Sequence, residues 1–295
     1  MDKIKIVLDW FPNTNHAGYL LAQTEGYFKE AGLEVEFEAV VHTVMDISTC
    51  DFICGPMLSM LGNRMKGVDM TGIATMTQRC DSGIVSLKEA GITRPRDLMG
   101  KRLTYWSQPW YHRAIGHLVT GDGGDYSKVN FINMNVGDIV GTLTTIADAT
   151  WVYANWENEV LKDAGFEINY FNITDHEPRF DFPAPAMAAS KEILTKRPDL
   201  VRRLLTALDL GYRQAAADPE NTALKIAPFM PEGSSEEMLV KSLKHLAPLF
   251  LDEQGRWGRI RPERWNDMAN WCVEIGWYDK RRPDEFTNDF FEDGR

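Results

Sequence analysis

Short apolar segments alternate with helix-like segments along most of this chain, and that alternation constrains the fold more than any other feature. Residues 4–8 form an apolar run rich in β-branched side chains, residues 33–41 alternate apolar with charged side chains, and residues 52–54 are apolar and precede a Gly-Pro pair. Between the first two runs, residues 16–31 have helical spacing and stop at Gly32. This order of strand and helix predicts an α/β fold with a mainly parallel sheet covered by helices.

The pattern recurs in the middle of the chain, and the last third is almost wholly helical. Further strands are expected at 83–87, 103–105, 129–134, 149–152 and 186–190, and helices at 110–120, 198–217, 236–246 and 262–275. We therefore expect two lobes: residues 1–85 with 186–295 form lobe I, and residues 86–185 form lobe II. Two extended crossings would join the lobes, and a ligand would bind in the cleft between them.

The net charge and the hydropathy of the chain exclude some classes of binding partner. Lys and Arg number 32 against 43 Asp and Glu, which gives a net charge of −11. This balance argues against nucleic acid or an anionic membrane surface and favours a small-molecule ligand. No apolar stretch approaches the roughly 20 residues of a membrane span, so no transmembrane segment is expected. The start at Met1 lacks an export signal, so the chain is cytoplasmic if full-length and extracytoplasmic if a signal has been removed.

The loop after the first strand contains the first group of candidate ligand-binding residues, Trp10, Asn13 and His16. Trp10 is either a core residue or a flat platform for an aromatic ligand. A second group, Tyr153, Asn155 and Glu157, follows the strand at 149–152. An amide and a carboxylate together can donate to and accept from a heterocycle. The alternative for this second group is a capped helix start with packed aromatic side chains.

A third candidate segment is the loop that precedes the helix at 110–120, where backbone N–H groups could hold an anion. It consists of Tyr105, Trp106, Ser107 and Gln108. His112 and His117 lie five residues apart, which is not the spacing of paired metal ligands, and no metal is expected. The acidic, aromatic-rich tail at 284–295 is expected to lie on the surface or fray.

The opening segments resemble those of a known family. The run Leu8-Asp9-Trp10-Phe11-Pro12-Asn13-Thr14-Asn15-His16, followed by Ala22-Gln23-Thr24-Glu25-Gly26-Tyr27-Phe28, is similar to the thiamine-pyrimidine group of periplasmic-binding-protein-like chains. That group includes ABC-transporter receptors for formylaminopyrimidine or hydroxymethylpyrimidine, and hydroxymethylpyrimidine phosphate synthases. The resemblance covers roughly residues 4–225. It implies a two-lobe, type II periplasmic-binding-protein-like fold with a helical C-terminal third.

The resemblance also implies roles for individual residues. Trp10 would stack on the pyrimidine, Tyr153 and Glu157 would contact the ring and its amine, and the loop at 105–109 would hold the polar tail. Gly55 and Pro56, at the end of the third strand, complete the expected ligand-binding set. An ABC-transporter permease would be the protein partner of a receptor.

The synthase branch requires groups that this sequence lacks. That branch uses a lysine and a histidine after the third strand, for pyridoxal phosphate and for the histidine consumed, and a cysteine cluster further on. Gly55 and Ser59 stand at about those two places, and the four cysteines are scattered. The segment 41–51 is also shorter than the family pattern. We therefore expect a binding protein with no cofactor and no catalytic residue. The alternatives are a synthase-like enzyme with pyridoxal phosphate and a cytosolic sensor or a receptor for another aromatic ligand.

Overall fold

The computed structural model describes residues 1–39, 50–105 and 109–291. The chain divides into two compact units. The first unit comprises Met1–Arg79, Phe182–Asn270 and Tyr278–Arg295, and the second comprises Cys80–Asp181 and Trp271–Trp277. Each unit contains its own five-stranded sheet.

The strands of both units are short. In chain order they are β1 (Asp2–Leu8), β2 (Leu33–Ala39), β3 (Phe52–Gly55), β4 (Met70–Thr75), β5 (Ser82–Leu87), β6 (Arg102–Tyr105), β7 (Asn130–Asn133), β8 (Ala149–Tyr153), β9 (Ile168–Asn172) and β10 (Ala186–Ser190). The sequence predicted most of these strands but missed β4 and β9. β9 follows Gly165 and has four partly buried residues out of five, so its apolar pattern is weak.

The helices range from single turns to twenty residues. They are α1 (Ala17–Thr24), α2 (Tyr27–Glu30), α3 (Met57–Met65), α4 (Pro109–Gly121), α5 (Ile139–Gly141, continued by a π-helical turn), α6 (Glu157–Asp163), α7 (Lys191–Lys196), α8 (Pro198–Ala217), α9 (Pro219–Ile226), α10 (Glu236–Phe250) and α11 (Pro262–Glu274). Within the described ranges, no helix is both long enough and apolar enough to span a membrane.

The sheet of the first unit has the strand order β2-β1-β3-β10-β4. β1 pairs in parallel with β2 and β3, whereas β10 runs antiparallel to β3 and β4. Four strands therefore share one direction and bring their carboxyl ends to one edge. β3 and β4 are buried along their whole length, as expected for strands covered on both faces.

The second unit repeats this arrangement with the strand order β7-β6-β8-β5-β9. β6 pairs in parallel with β7 and β8, and β5 is the antiparallel strand between β8 and β9. Its core includes Val85 from β5, Val152 from β8 and Leu161 from α6. The predicted α/β class is confirmed, with two mixed sheets instead of purely parallel ones.

The predicted single helix over residues 16–31 is wrong. The segment begins with a 3₁₀ turn at Thr14–His16, continues as α1, breaks at Gly26 and resumes as α2. Gly26 has φ +84°, a left-handed conformation that costs a residue with a Cβ extra energy and that interrupts a right-handed helix.

The prediction that the C-terminal tail lies on the surface holds for Asp284 and Asp289, which are exposed, but it is wrong for Glu285. Part of the tail pairs with β4, where the N–H of Gly72 donates to the carbonyl of Glu285 (2.9 Å) and the N–H of Thr287 donates to the carbonyl of Gly72 (2.9 Å). Glu285 is only 3% exposed. Its carboxylate accepts hydrogen bonds from Trp265 Nε1 (3.1 Å) and the Tyr278 hydroxyl (3.0 Å). These buried bonds fix a segment whose acidic composition suggested exposure.

Candidate functional site

The carboxyl ends of β1 and β3 form one edge of the first unit. The two strands pair in register up to Leu8 and Cys54, and the N–H of Asp9 donates to the carbonyl of Cys54 (3.0 Å). The chain continues from β1 into Asp9 and Trp10, and from the last residue of β3, Gly55, into Pro56. Parallel strands thus place both loops at the edge where α/β proteins bind ligands.

Asn13 and His16 cap the 3₁₀ turn that leads into α1. The Asn13 side chain accepts from the N–H of Asn15 (2.9 Å), and His16 Nδ1 accepts from the N–H of Asn13 (3.3 Å). This reciprocal pattern is a capping box, which satisfies backbone donors at a helix start. The Asn13 side chain therefore hydrogen-bonds within the loop. The bond to Nδ1 orients the His16 ring, whose other nitrogen, Nε2, makes no hydrogen bond within the described residues.

Asp9 and His16 are the two titratable side chains of the loop that follows β1. His16 is 1% exposed, and burial lowers its pKa to about 4, so its ring is neutral. Because Nδ1 accepts a hydrogen bond, the proton of the neutral ring lies on Nε2. The Asp9 side chain is 21% exposed, and burial raises its pKa to about 7. Nε2 lies 4.0 Å from Asp9 Oδ1, which is too long for a hydrogen bond.

Cys54 and Tyr19 line the same region. Each places its polar atom 4.0 Å from the sulfur of Met76, and burial raises the pKa of the thiol and of the phenol well above their usual values. One ligand atom each of Asp9, His16 and Cys54 lies within 4.8 Å of the others. Binding of a metal by these three groups would require the release of the proton on His16 Nε2 and of the thiol proton of Cys54.

The remaining predicted residues of the first unit differ in exposure. Trp10 is partly exposed, and its ring centroid lies 5.3 Å from that of Phe11 at a tilt of 47°. Gly55 is buried as the last residue of β3 and pairs with Ala186. Pro56 is partly exposed and is the N-cap of α3.

In the second unit, Tyr153 and Glu157 lie where β8 passes into α6. Tyr153 ends β8, Glu157 is the first residue of α6, and the N–H of Tyr153 donates to Glu157 Oε2 (3.2 Å). The Glu157 side chain is mostly shielded from water, and this burial raises its pKa to about 7. Its carboxyl group therefore exchanges a proton near neutral pH, unlike an ordinary surface glutamate.

Asp81 hydrogen-bonds to the turn between β8 and α6, which contains Asn155. Asn155 is fully buried, and its N–H donates to Asp81 Oδ2 (3.1 Å). The carbonyl of Asp81 accepts from the Tyr170 hydroxyl (2.6 Å) and the N–H of Ala154 (3.1 Å). The negative charge of Asp81 adds to the rise in the pKa of Glu157. Asn155 thus belongs to the framework that holds the turn between β8 and α6.

Tyr105 ends β6 and packs among aromatic side chains. Its ring centroid lies 4.1 Å from that of His112 and 5.6 Å from that of Phe131. The other three predicted residues of this loop, Trp106, Ser107 and Gln108, lie outside the described residues. The shortened segment at 41–51 also lies outside them, apart from Cys50 and Asp51.

Two residues that lie beside the predicted site residues, Asp9 and Asp81, were not predicted. Asp9 stands directly at the end of β1, and a charged residue after an apolar strand was a usable signal. Asp81 comes before β5, where no sequence signal distinguishes it from an ordinary loop residue. The predicted residues thus form one group at β1 and β3 of the first unit and another at β6 and β8 of the second.

Comparison with known proteins identifies the family and the fold of this chain. A family model described as "NMT1/THI5 like" matches residues 13–222, which is more than half of the chain. The formylaminopyrimidine-binding protein of Halalkalibacterium halodurans is 24% identical over 292 residues, which covers 95% of this chain and 87% of that protein.

A second relative is named as an enzyme. A 4-amino-5-hydroxymethyl-2-methylpyrimidine phosphate synthase of Saccharomyces cerevisiae is 32% identical over 256 residues, covering 78% of this chain and 72% of the synthase. Among solved structures, the periplasmic aliphatic sulphonate binding protein SsuA of Escherichia coli superposes with a TM-score of 0.74 at 11% identity. That match covers 97% of this chain and 91% of SsuA, and it confirms the predicted periplasmic-binding-protein-like fold.

Proposed function

Because this chain belongs to the NMT1/THI5-like family, we propose that it binds a small pyrimidine of the thiamine-precursor class. Hydroxymethylpyrimidine and formylaminopyrimidine are the first ligands to test. The similarity to a formylaminopyrimidine-binding protein extends over 95% of this chain and supports a substrate-binding role. The observation that carries the choice of ligand is the carboxyl group of Glu157 at the start of α6.

The chemistry of Glu157 suits an aminopyrimidine. With a pKa raised to about 7, its side chain is about half protonated at neutral pH. A carboxylic acid offers one O–H donor and one carbonyl acceptor side by side. These match a ring nitrogen, which accepts, and the adjacent exocyclic amine, which donates. The N–H of Tyr153 bonds Oε2 and fixes the orientation of the carboxyl group.

The test is calorimetric titration of the wild type, Glu157→Ala and Glu157→Gln with hydroxymethylpyrimidine and formylaminopyrimidine. We expect Glu157→Ala to weaken binding by about 10- to 100-fold, because leaving buried hydrogen-bonding groups of the ligand unpaired costs roughly 1–3 kcal/mol. Glu157→Gln should bind at about pH 7 nearly as well as the wild type, because its amide offers the same donor and acceptor pair as the neutral acid. The matched control is Glu89→Ala, which removes an exposed carboxylate from the same unit and should leave affinity unchanged.

The pH dependence gives an independent check. Binding to a neutral pyrimidine keeps the proton on Glu157, so affinity should be lost progressively from about pH 7 to about pH 9 as that proton leaves the free protein. In Glu157→Gln this loss should disappear. Failure of both pyrimidines to bind the wild type at any pH would refute the proposed function.

We further propose that the ligand is passed to an ABC-transporter permease outside the cytoplasm. The periplasmic-binding-protein-like fold supports this role. Subcellular fractionation of the source cells, with an antibody against this chain, tests the location. Chain found outside the cytoplasm would agree with a transport role, whereas chain found in the cytosol alone would contradict it.

A synthase is the second candidate, because a relative with that name is 32% identical. A Schiff base to pyridoxal phosphate requires a lysine, but position 55 is a buried glycine that ends β3. Ser59, within α3, stands at about the place of the synthase histidine. These residues do not fit the cofactor. An absorbance scan after adding pyridoxal phosphate distinguishes the candidates: a bound-cofactor band would favour the enzyme.

A further inference from the structure

Asp81 holds the turn that leads from β8 into α6 in the second unit. The residue is buried, with an exposed fraction of 4%. Its Oδ2 accepts a hydrogen bond from the N–H of Asn155 (3.1 Å), and its carbonyl accepts one from the N–H of Ala154 (3.1 Å). Two consecutive residues of the turn are therefore bonded to one residue. Breaking either bond would leave a buried donor without its acceptor, which is costly.

Tyr170 supports Asp81 from the strand at the edge of the same sheet. Tyr170 lies on β9, and its hydroxyl donates to the carbonyl of Asp81 (2.6 Å). Its ring lies against β5 at Gly83, where a Cβ would overlap the ring. A glycine within a strand often permits such a close approach of another group. The absence of a side chain at Gly83 thus lets Tyr170 reach the start of β5 and hold Asp81 there.

Glu157 is attached to the turn that Asp81 holds. Tyr153 comes directly before the turn and pairs with Ser82 of β5. The N–H of Tyr153 donates to Glu157 Oε2 (3.2 Å), so the place of the carboxyl group depends on residues 153–155. A binding group is held in one geometry only when neighbouring residues fix it. Asp81 therefore fixes the position of Glu157 through the backbone of the turn.

The charge of Asp81 acts on Glu157 as well. Burial is the main cause of the raised pKa of Glu157, and Asp81 is the charged side chain, among the described residues, that raises it further. From β9, the titratable group at this turn is Tyr170, on which Cys80 and Asp175 also act. Its phenol is neutral because burial and the charge of Asp81 raise its pKa well above the usual value. Asp81 thus favours the acid form of Glu157.

We propose that Asp81 is a positioning residue for Glu157: it holds the turn at residues 153–155 and thereby sets the affinity of the second unit for a neutral aminopyrimidine. This inference rests on the proposed function. Asp81 acts through Glu157 and does not touch the ligand itself. All the contacts that support its role lie within the second unit.

The experiment uses two substitutions that separate the hydrogen bond of Asp81 from its charge. Asp81→Asn keeps a side-chain oxygen for the N–H of Asn155 and removes the charge, whereas Asp81→Ala removes both. Asp163→Asn removes an exposed carboxylate from α6 itself and is the matched control. Each variant and the wild type are titrated calorimetrically with hydroxymethylpyrimidine at several pH values.

The two substitutions should differ in their pH profiles. We expect Asp81→Ala to weaken binding about tenfold or more at every pH, because the turn no longer holds Glu157 in place. Asp81→Asn should bind like the wild type in acid. Its affinity should then be lost at lower pH than that of the wild type, because Glu157 releases its proton more easily without the neighbouring charge. Asp163→Asn should keep the wild-type affinity and pH profile.

A titration without ligand distinguishes failure of this inference from failure of the proposed function. The carboxyl carbon of Glu157 is followed by ¹³C NMR in labelled wild type and Asp81→Asn, with Glu157→Gln to assign its resonance. The midpoint should lie at lower pH in Asp81→Asn. An unchanged midpoint would overturn the role of Asp81, and so would wild-type affinity in Asp81→Ala. If Asp81→Ala does not fold, Asp81→Asn decides. Wild type that binds no pyrimidine would refute the proposed function alone.

Discussion

The Asp9 carboxyl group couples the candidate site to the stability of the protein. Burial raises its pKa from 3.8 to about 7. Between these two pH values the folded protein holds a proton that the unfolded chain has released. The stability present below about pH 4 is therefore lost as pH rises through about 7. A carboxyl group buried in this way makes the folded state less stable at neutral and alkaline pH than at acidic pH.

We predict that Asp9→Asn raises the free energy of unfolding at about pH 8, by up to about 4 kcal/mol, because the amide needs no proton. At about pH 4 the variant and the wild type should differ much less. Urea denaturation at both pH values measures this. Asp69→Asn, on the surface, should keep the wild-type pH dependence, and an equally steep dependence in Asp9→Asn would contradict the assigned environment.

Trp10 is the residue for which stacking on the ligand is proposed. Its ring is partly exposed at the end of β1, so removing it should have little effect on the core. We predict that Trp10→Ala weakens pyrimidine binding by about 1–3 kcal/mol, the range of a lost aromatic stacking contact. Phe229→Ala, a 40% exposed aromatic residue of the same unit, is the control for calorimetry. Unchanged affinity in Trp10→Ala would show that Trp10 does not touch the ligand.

At the scale of elements, α1 and α8 approach each other closely at two glycines. A Cβ on Gly18 would overlap the ring of Tyr212, and a Cβ on Gly211 would overlap the carbonyl of Gly18. The Tyr212 hydroxyl in turn donates to the carbonyl of Asn15 (2.7 Å) in the capped turn. This contact fixes α1, and with it the loop that holds His16, against the long helix α8.

We predict that Gly18→Ala lowers the free energy of unfolding by about 1–3 kcal/mol, since overpacking forces the Tyr212 ring out of place. Gly121→Ala is the matched control: Gly121 ends α4 and has open space around it, so its substitution should change stability by less than about 0.5 kcal/mol. Thermal and urea unfolding of both variants check this. Equal stability of the two would show that α1 and α8 can separate without cost.

At the scale of the whole molecule, the two ends of the chain belong to the same unit. β1 begins at Asp2 and lies second in the first sheet, and Glu285 and Thr287 of the tail bond to β4 at the opposite edge. Glu285 anchors this tail through Trp265 and Tyr278, and the guanidinium of Arg281 donates to the same carboxylate (3.0 Å). The edge of β4 is thus covered by chain from the far end of the sequence.

We predict that Glu285→Ala destabilises the protein by about 3 kcal/mol, because it leaves Arg281 and two buried donors without their acceptor. Asp289→Ala, in the same tail but exposed, should cost less than about 0.5 kcal/mol. Limited proteolysis should release the tail of Glu285→Ala earlier than that of the control. A tail that stays protected in Glu285→Ala would mean that its backbone bonds to Gly72 suffice.

The sequence by itself determined the α/β class, most of the strands, the helical last third and the family, because these depend on local periodicity and on motifs of adjacent residues. It also located Trp10, His16 and Glu157 at strand ends and helix starts. Tertiary structure alone decided three further points: the proton on His16 Nε2, the packing of the tail on β4, and the neutral surroundings of Asp9. Each depends on contacts between residues far apart in the chain, and on burial, which changes a pKa without leaving a pattern in the sequence.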